Sequence, residues 1–484
     1  MNNFKVKQEG HGPSLTPKRT AAFLAWNIST KGLVAYPKNF RNSLKIGTFL
    51  AQKTLHESCG CSDFLGEAKG TGILLTKEPS RHIEYLDYAR GIAILVVFVF
   101  HCFGAVFNYF EPPWNGWFLD MSVSKTYLAL FPLSLGRYGV AVFFVVSGFC
   151  IHLSFYQQGK NWRDFFTRRF FRIYPPYFSP LVFFSLLILT KSLIYRGGWH
   201  QFWTHLLLFH NFDKLTFYGV NPSFWSIAVE VQLYLLYPLL LAAVGKFGWR
   251  RSLIALAILE LSIRSWGCLV TTMLCAETSF GFRFPAFVFE VNPFFDWLMG
   301  SPFAYWFSWS IGAAIADAFL NKRQLPLVKS SPLVWLTLAI DSCLVKPLEA
   351  FSFPLFAIFT AVVVSKLLNE IKPKTMIPGF CLEHLRMTGI WSYSIYLLHQ
   401  PLIMIFQTSL VTTSPEMMNY PLVRLLFCVA LWFLIMPLGG FWYRICEMPS
   451  VALGKKFIQK KHQQDILLSF FSRIFRYRLR NNCH

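Results

Sequence analysis

Charge is what this sequence is short of. Of 484 residues only 14% are Asp, Glu, Lys or Arg, and the 24 acidic ones are outnumbered by 46 basic ones. A soluble domain carries about a quarter charged residues, so a water-facing surface over most of the chain is excluded. The acidic shortage leaves a formal charge of +22. The basic residues nevertheless form no single patch and no base-reading motif, which argues against nucleic acid as a partner. No apolar stretch follows the polar opening MNNFKVKQEG, so no secretory leader is expected. Cysteine pairs at zinc spacing are missing too. Cys59 and Cys61 make one CGC near His56, with no second pair to complete four ligands, so no metal is expected and the 11 cysteines read as reduced and structural.

What is present is apolar. Hydrophobic residues make up 54% of the chain and aromatics 18%. Ten stretches are long enough to cross a bilayer, at roughly 90–110, 136–156, 177–195, 224–244, 252–272, 301–320, 332–347, 350–368, 389–410 and 421–442. The loops GKNWRDFFTRRFFR, GKFGWRR, NKRQLPLVK and KLLNEIKPKT, and the tail after Arg444, are all basic; the alternate loops are poor in Lys and Arg. Positive loops stay inside. The expectation is an all-α integral membrane protein, a polytopic bundle of about ten transmembrane helices with both termini cytoplasmic, set in the cell (inner) membrane. Residues 1–81 read as a polar, basic, weakly structured cytoplasmic extension, 82–446 as the membrane domain, and 447–484 as a basic cytoplasmic tail. Within that tail LLSFFSRIFRYRLR is amphipathic and suits either a membrane surface or solvent. The absence of an internal repeat weighs against transporters built from duplicated halves.

Ionisable residues inside spans carry the functional reading, because such groups are expensive in lipid. Arg90 and His101 bound the run RGIAILVVFVFH, eleven residues apart. That is about three helical turns, a rise of roughly 16 Å, so the two side chains share a face, one at the rim and one near mid-membrane. Neutral imidazole can take a proton from a hydroxyl nucleophile near neutral pH. In RRFFRIYPPY, Arg169 and Arg172 are three apart and Arg168 and Arg172 four apart, which gathers guanidinium groups on one helix face. Planar guanidinium suits phosphate, although positive-inside anchoring alone would also place arginines there. Glu230 in SFWSIAVEVQLYLLYP needs a partner at membrane depth; it can steady an imidazolium or fix helix packing, and Tyr234 one turn on can donate to it. SYSIYLLHQPLI offers Ser394 among its hydroxyls and His399 as a second candidate base. Gly136, Gly139, Ser147 and Gly148 read as close-packing positions, His152 as locally bonded, and Glu260 with Arg264 as an intrahelical pair.

The stretches LDYARGIAILVVFVFH, GVAVFFVVSGF, RRFFRIYP, WSIAVEVQLYLLYP and SYSIYLLHQPLI come in the order and spacing of the acyltransferase type 3 family, which the chain resembles over about residues 82 to 458. The closing YRICEMPSVALGKK is also similar to the family's ending. The resemblance implies an integral-membrane O-acyltransferase. It implies an acyl group, most often acetyl, taken from cytoplasmic acyl-CoA as co-substrate, with no permanently bound cofactor, and delivered to a hydroxyl of a cell-surface or secreted glycan. It also implies that Arg90 and His101 fill the family's arginine–histidine motif and Arg169 and Arg172 its paired-arginine motif. On this reading Arg90, Arg169 and Arg172 hold the acyl-CoA phosphates, His101 is the base with Glu230 beside it, and Tyr234, Ser394 and His399 support them. Two rivals stand beside it: acylation of a lipid-linked, peptidoglycan or small-molecule hydroxyl, and a permease or exporter in which Glu230, His101 and His399 relay protons.

Overall fold

In lipid every backbone polar group must be satisfied within the chain, so apolar runs of this length fold as helices. The computed structural model describes residues 79–107, 114–115, 118–119, 131–192, 198–213, 215–277, 293–369, 379–413, 416 and 420–481. The N-terminal extension up to residue 78, with its CGC and His56, lies outside them. The helices are α1 (Pro79–Phe107), α2 (Gly139–Gln157), α3 (Trp162–Ser192), α4 (Gly198–Leu206), α5 (Phe224–Glu277), α6 (Pro293–Gly300), α7 (Trp306–Leu320), α8 (Pro332–Leu344), α9 (Glu349–Asn369), α10 (Gly379–Ile390), α11 (Ser392–Thr413), α12 (Pro421–Trp442) and α13 (Met448–Asn481). The strand pairing among the described residues is slight: Trp114–Asn115 against Phe118–Leu119, with one isolated bridge from Phe118 to Val345.

The chain is therefore a helical membrane protein. Among the described residues six segments are long and apolar enough to cross a bilayer: Glu84–Val106, Phe131–Gln157, Phe224–Leu269, Pro302–Leu320, Lys346–Asn369 and Leu422–Asp465. The third has 46 residues, length for two crossings at ~1.5 Å per residue. It breaks at Gly248, whose φ of 78° lies in the left-handed region that glycine reaches freely. The spans expected at 224–244 and 252–272 are its two halves. The expected span at 332–347 is the 13-residue α8, a rise of about 20 Å and short of a hydrocarbon core.

At the centre, α2 and α7 cross at contact distance. A Cβ on Gly148 would collide with the Trp309 carbonyl, and one on Gly312 with that of Val145. Small residues allow such backbone approach where lipid offers no hydrophobic drive between helices. At the outside, Leu422, Leu425, Leu426, Val429 and Phe433 of α12 are exposed, a strip suited to acyl chains. Glu447 follows α12 on a π-helical turn, Tyr443–Glu447, and is fully buried. Beyond it Ser450 Oγ donates to the Phe171 carbonyl, and His462 Nε2 lies 2.8 Å from Asp164 Oδ2. The first half of α13 is thus bonded to α3.

Candidate active site

Helices α1, α2, α3, α5 and α11 enclose a cavity of about 830 Å³, counting the part open to solvent. Its lining includes Arg90, Arg169 and Arg172, the three arginines singled out in the sequence, together with Glu230 and Tyr234.

The arginines gather at one end. Helix α3 starts behind Asn161, whose Oδ1 accepts from the backbone N–H of Arg163 at 3.0 Å, and its early turns carry the basic run. Arg90 Nη1 is 3.3 Å from Asp87 Oδ1, and its Nη2 donates to Cys150 Sγ at 3.1 Å. Arg169 Nη2 donates to Ser154 Oγ at 3.0 Å. Arg172 Nη2 forms an ion pair with Glu447 Oε1 at 3.2 Å, at an angle short of a hydrogen bond. The other Glu447 oxygen accepts from Ser394 Oγ at 2.7 Å. Behind them the Nε and Nη2 of Arg168 are buried without hydrogen bonds. Burial, and next the neighbouring Arg169 charge, push the Arg168 pKa down to about 10, with Asp164 opposing. Crowded guanidinium groups of this kind favour an anion.

The middle of the cavity holds a carboxylate. Ser147 Oγ donates to Glu230 Oε1 at 2.6 Å, Tyr234 OH donates to the same oxygen, and Trp309 Nε1 donates to Ser147 Oγ at 3.3 Å. Glu230 therefore does not stand beside His101 as expected; its partners are two hydroxyls. The physical reason is helical spacing: Ser226, Glu230, Tyr234 and Tyr237 form a polar stripe down α5, and Glu230 lies about two turns from Ser223, just before the helix, which is the residue that approaches His399. Ser147, read from sequence as a packing residue, is on the cavity wall.

His101 does not line the cavity. Val140 does, and a Cβ on the adjacent Gly139 would press on Val97, one helical turn before His101. Nδ1 of His101 is 2.9 Å from Nε2 of His399, with ring centroids 5.0 Å apart. Tyr396 stands between pair and cavity: its ring lines the cavity, its centroid is 5.3 Å from that of His399, and its hydroxyl is 2.7 Å from Ser226 Oγ. Arg90 thus lines the cavity, and His101 does not.

The remaining sequence candidates are structural contacts. Glu260 bonds Arg264 at 3.3 Å, as expected, and also accepts from Ser308 Oγ at 2.6 Å. His152 is not locally bonded; its Nδ1 meets Tyr237 OH at 3.1 Å and its Nε2 lies 3.6 Å from Asp317. Sequence reasoning missed Cys150 and Glu447. Cys150 follows Ser147 by one turn, which puts both on one helix face; Glu447 had the signal of an acid in YRICEMP, just past the last expected apolar span. Among the described residues no group of three or more His, Cys, Asp or Glu side chains could hold a metal.

Fold and cavity together define a multi-pass helical membrane protein with an internal, arginine-lined cavity. The chain belongs to the acyltransferase type 3 family: the family model, described as an acyltransferase domain, matches residues 83–445. It is similar to the peptidoglycan O-acetyltransferase OatA of Listeria monocytogenes, at 25% identity over 402 residues, 77% of this chain and 56% of the relative. It also resembles Nodulation protein 10 of Rhizobium leguminosarum, 28% identical over 32% of this chain and 46% of the relative. Acyltransferase MdmB of Streptomyces mycarofaciens is 29% identical over 34% of this chain and 40% of its own length. The chain spans about half the length of the curated relatives it matches. No solved structure matches it.

Proposed function

We propose that this protein transfers an acyl group, acetyl in the simplest case, from acyl-CoA to a hydroxyl of a cell-surface or secreted glycan. The observation that carries the proposal is that Arg90, Arg169 and Arg172 line one cavity together with Tyr396, whose ring is 5.3 Å from that of His399, the hydrogen-bond partner of His101. Phosphates of acyl-CoA bind the guanidinium groups, and the pantetheine arm runs past Ser147 and Tyr396. In this reading the chain crosses the membrane about ten times with the arginine end and both termini in the cytoplasm, an orientation that the basic loops support. The acceptor enters from the opposite side. His101 takes the hydroxyl proton as the oxygen attacks the thioester carbonyl; the C–O bond forms, the C–S bond breaks, and the proton passes to the leaving thiolate. One step then moves an acyl group across the membrane while CoA stays inside. Similarity to a protein named as a peptidoglycan O-acetyltransferase supports a glycan hydroxyl as acceptor.

The test is free CoA release by the purified full-length protein from labelled acetyl-CoA, paired with mass spectrometry of surface glycans from cells with and without the gene. Thiol release together with a glycan acetyl group that disappears with the gene is expected. A protein that leaves acetyl-CoA untouched would overturn the reading and favour the proton-relay permease.

A further inference from the structure

Two imidazoles in contact can share their hydrogens in few ways, and here the backbone selects one. His399 Nδ1 is 2.9 Å from the carbonyl oxygen of Tyr396. A carbonyl only accepts, so the ring hydrogen of neutral His399 sits on Nδ1 and its Nε2 carries a lone pair. That lone pair faces Nδ1 of His101 at 2.9 Å, so His101 Nδ1 is the donor. The hydrogen of neutral His101 is then committed to Nδ1, and its Nε2 is bare.

Two details hold the assignment in place. Ser223 Oγ also approaches His399 Nε2, but at 3.5 Å, and its hydroxyl hydrogen goes to Gln400 Oε1. His101 is therefore the closer and the available donor. Among the described residues neither ring has a carboxylate as hydrogen-bond or ion-pair partner, and an imidazolium without one is costly at membrane depth, so both rings rest neutral.

We propose that His399 is a positioning residue: it fixes His101 in the Nδ1–H tautomer and so leaves Nε2 as the basic nitrogen. This rests on the acyl-transfer reading above, in which His101 is the base. His399 does there what a carboxylate does in a nucleophile–base–acid triad. Because it is neutral, it orients the base without placing a permanent charge in the apolar layer. When His101 Nε2 takes the acceptor proton, the imidazolium keeps its Nδ1–H bond to His399, and the proton leaves again from Nε2 to the CoA thiolate. A second base at His399 is unnecessary, since its own lone pair is already occupied.

The full-length protein labelled with 15N at histidine reports which ring nitrogen of His101 carries hydrogen, whether or not any acyl group moves. Nδ1 protonated and Nε2 bare is expected; hydrogen on Nε2 would overturn the proposal. Kinetics give the second readout. His399→Leu removes the acceptor, and kcat for acetyl transfer should fall ~100-fold or more while KM for acetyl-CoA stays within about twofold. His399→Gln restores an oxygen acceptor and should recover kcat to within about tenfold of the unmodified protein. A Gln variant as inactive as the Leu variant at equal expression, or a Leu variant with full kcat, would contradict the assignment. If the unmodified protein consumes no acetyl-CoA, the acyl-transfer reading fails, and the 15N result still decides the tautomer on its own.

Discussion

At the scale of single residues, Glu447 explains how an arginine can line a cavity and still be held. Its carboxylate is fully buried, takes Ser394 on one oxygen and faces Arg172 with the other. A flexible arginine loses rotamer entropy when it binds a ligand, and an ion pair with a fixed acid lowers that loss in advance. Glu447→Gln keeps the shape and one acceptor oxygen for Ser394 but removes the charge that faces Arg172. KM for acetyl-CoA should rise several-fold with kcat little changed, as measured in initial-rate assays; an unchanged KM at normal expression would make Glu447 a packing residue only. The arginines were legible in sequence because spacing on one helix is local information. The partners were not. Arg172 and Glu447, or His101 and His399, are hundreds of positions apart, and no periodicity records which turns of two helices face each other. Glu230 shows both sides of that limit: Tyr234, one turn on along the same helix, was legible as its donor, whereas Ser147 on another helix was not.

At the scale of elements, the crossing of α2 and α7 holds the middle of the site. Ser147 bonds Glu230 from one helix while Trp309 bonds Ser147 from the other, and the close backbone approaches at Gly148 and Gly312 set their separation. Gly312→Leu would have to force the backbones apart at Val145, an overpacking cost of about 1–3 kcal/mol. Its unfolding midpoint in detergent should drop, and activity should fall with it. Gly245→Ala, at a helical position with open space around it, should leave the midpoint unchanged or slightly raised. Equal midpoints for both variants would contradict the role given to the crossing. Most spans could be read from sequence because about 20 apolar residues in a row have few alternatives to a helix. The exceptions have local causes. The basic GKFGWRR segment is a kink at Gly248 inside one long element, since glycine can turn the chain without a loop. The segment after 446 looks like a solvated tail by composition, yet its first turns pack on α3 through Ser450.

At the scale of the whole molecule, the account is that one site runs from an arginine end to a histidine end, roughly 16 Å apart along α1, and that a single acyl-CoA occupies it. Binding and chemistry are then assigned to opposite ends, and they should separate in kinetics. The most direct measurement is kcat and KM for acetyl-CoA in Arg172→Ala and His101→Ala, side by side in the full-length protein. The account predicts a split: Arg172→Ala raises KM with a modest change in kcat, and His101→Ala lowers kcat at least ~100-fold with KM near that of the unmodified protein. Full kcat in His101→Ala, or an unchanged KM in Arg172→Ala, would contradict it.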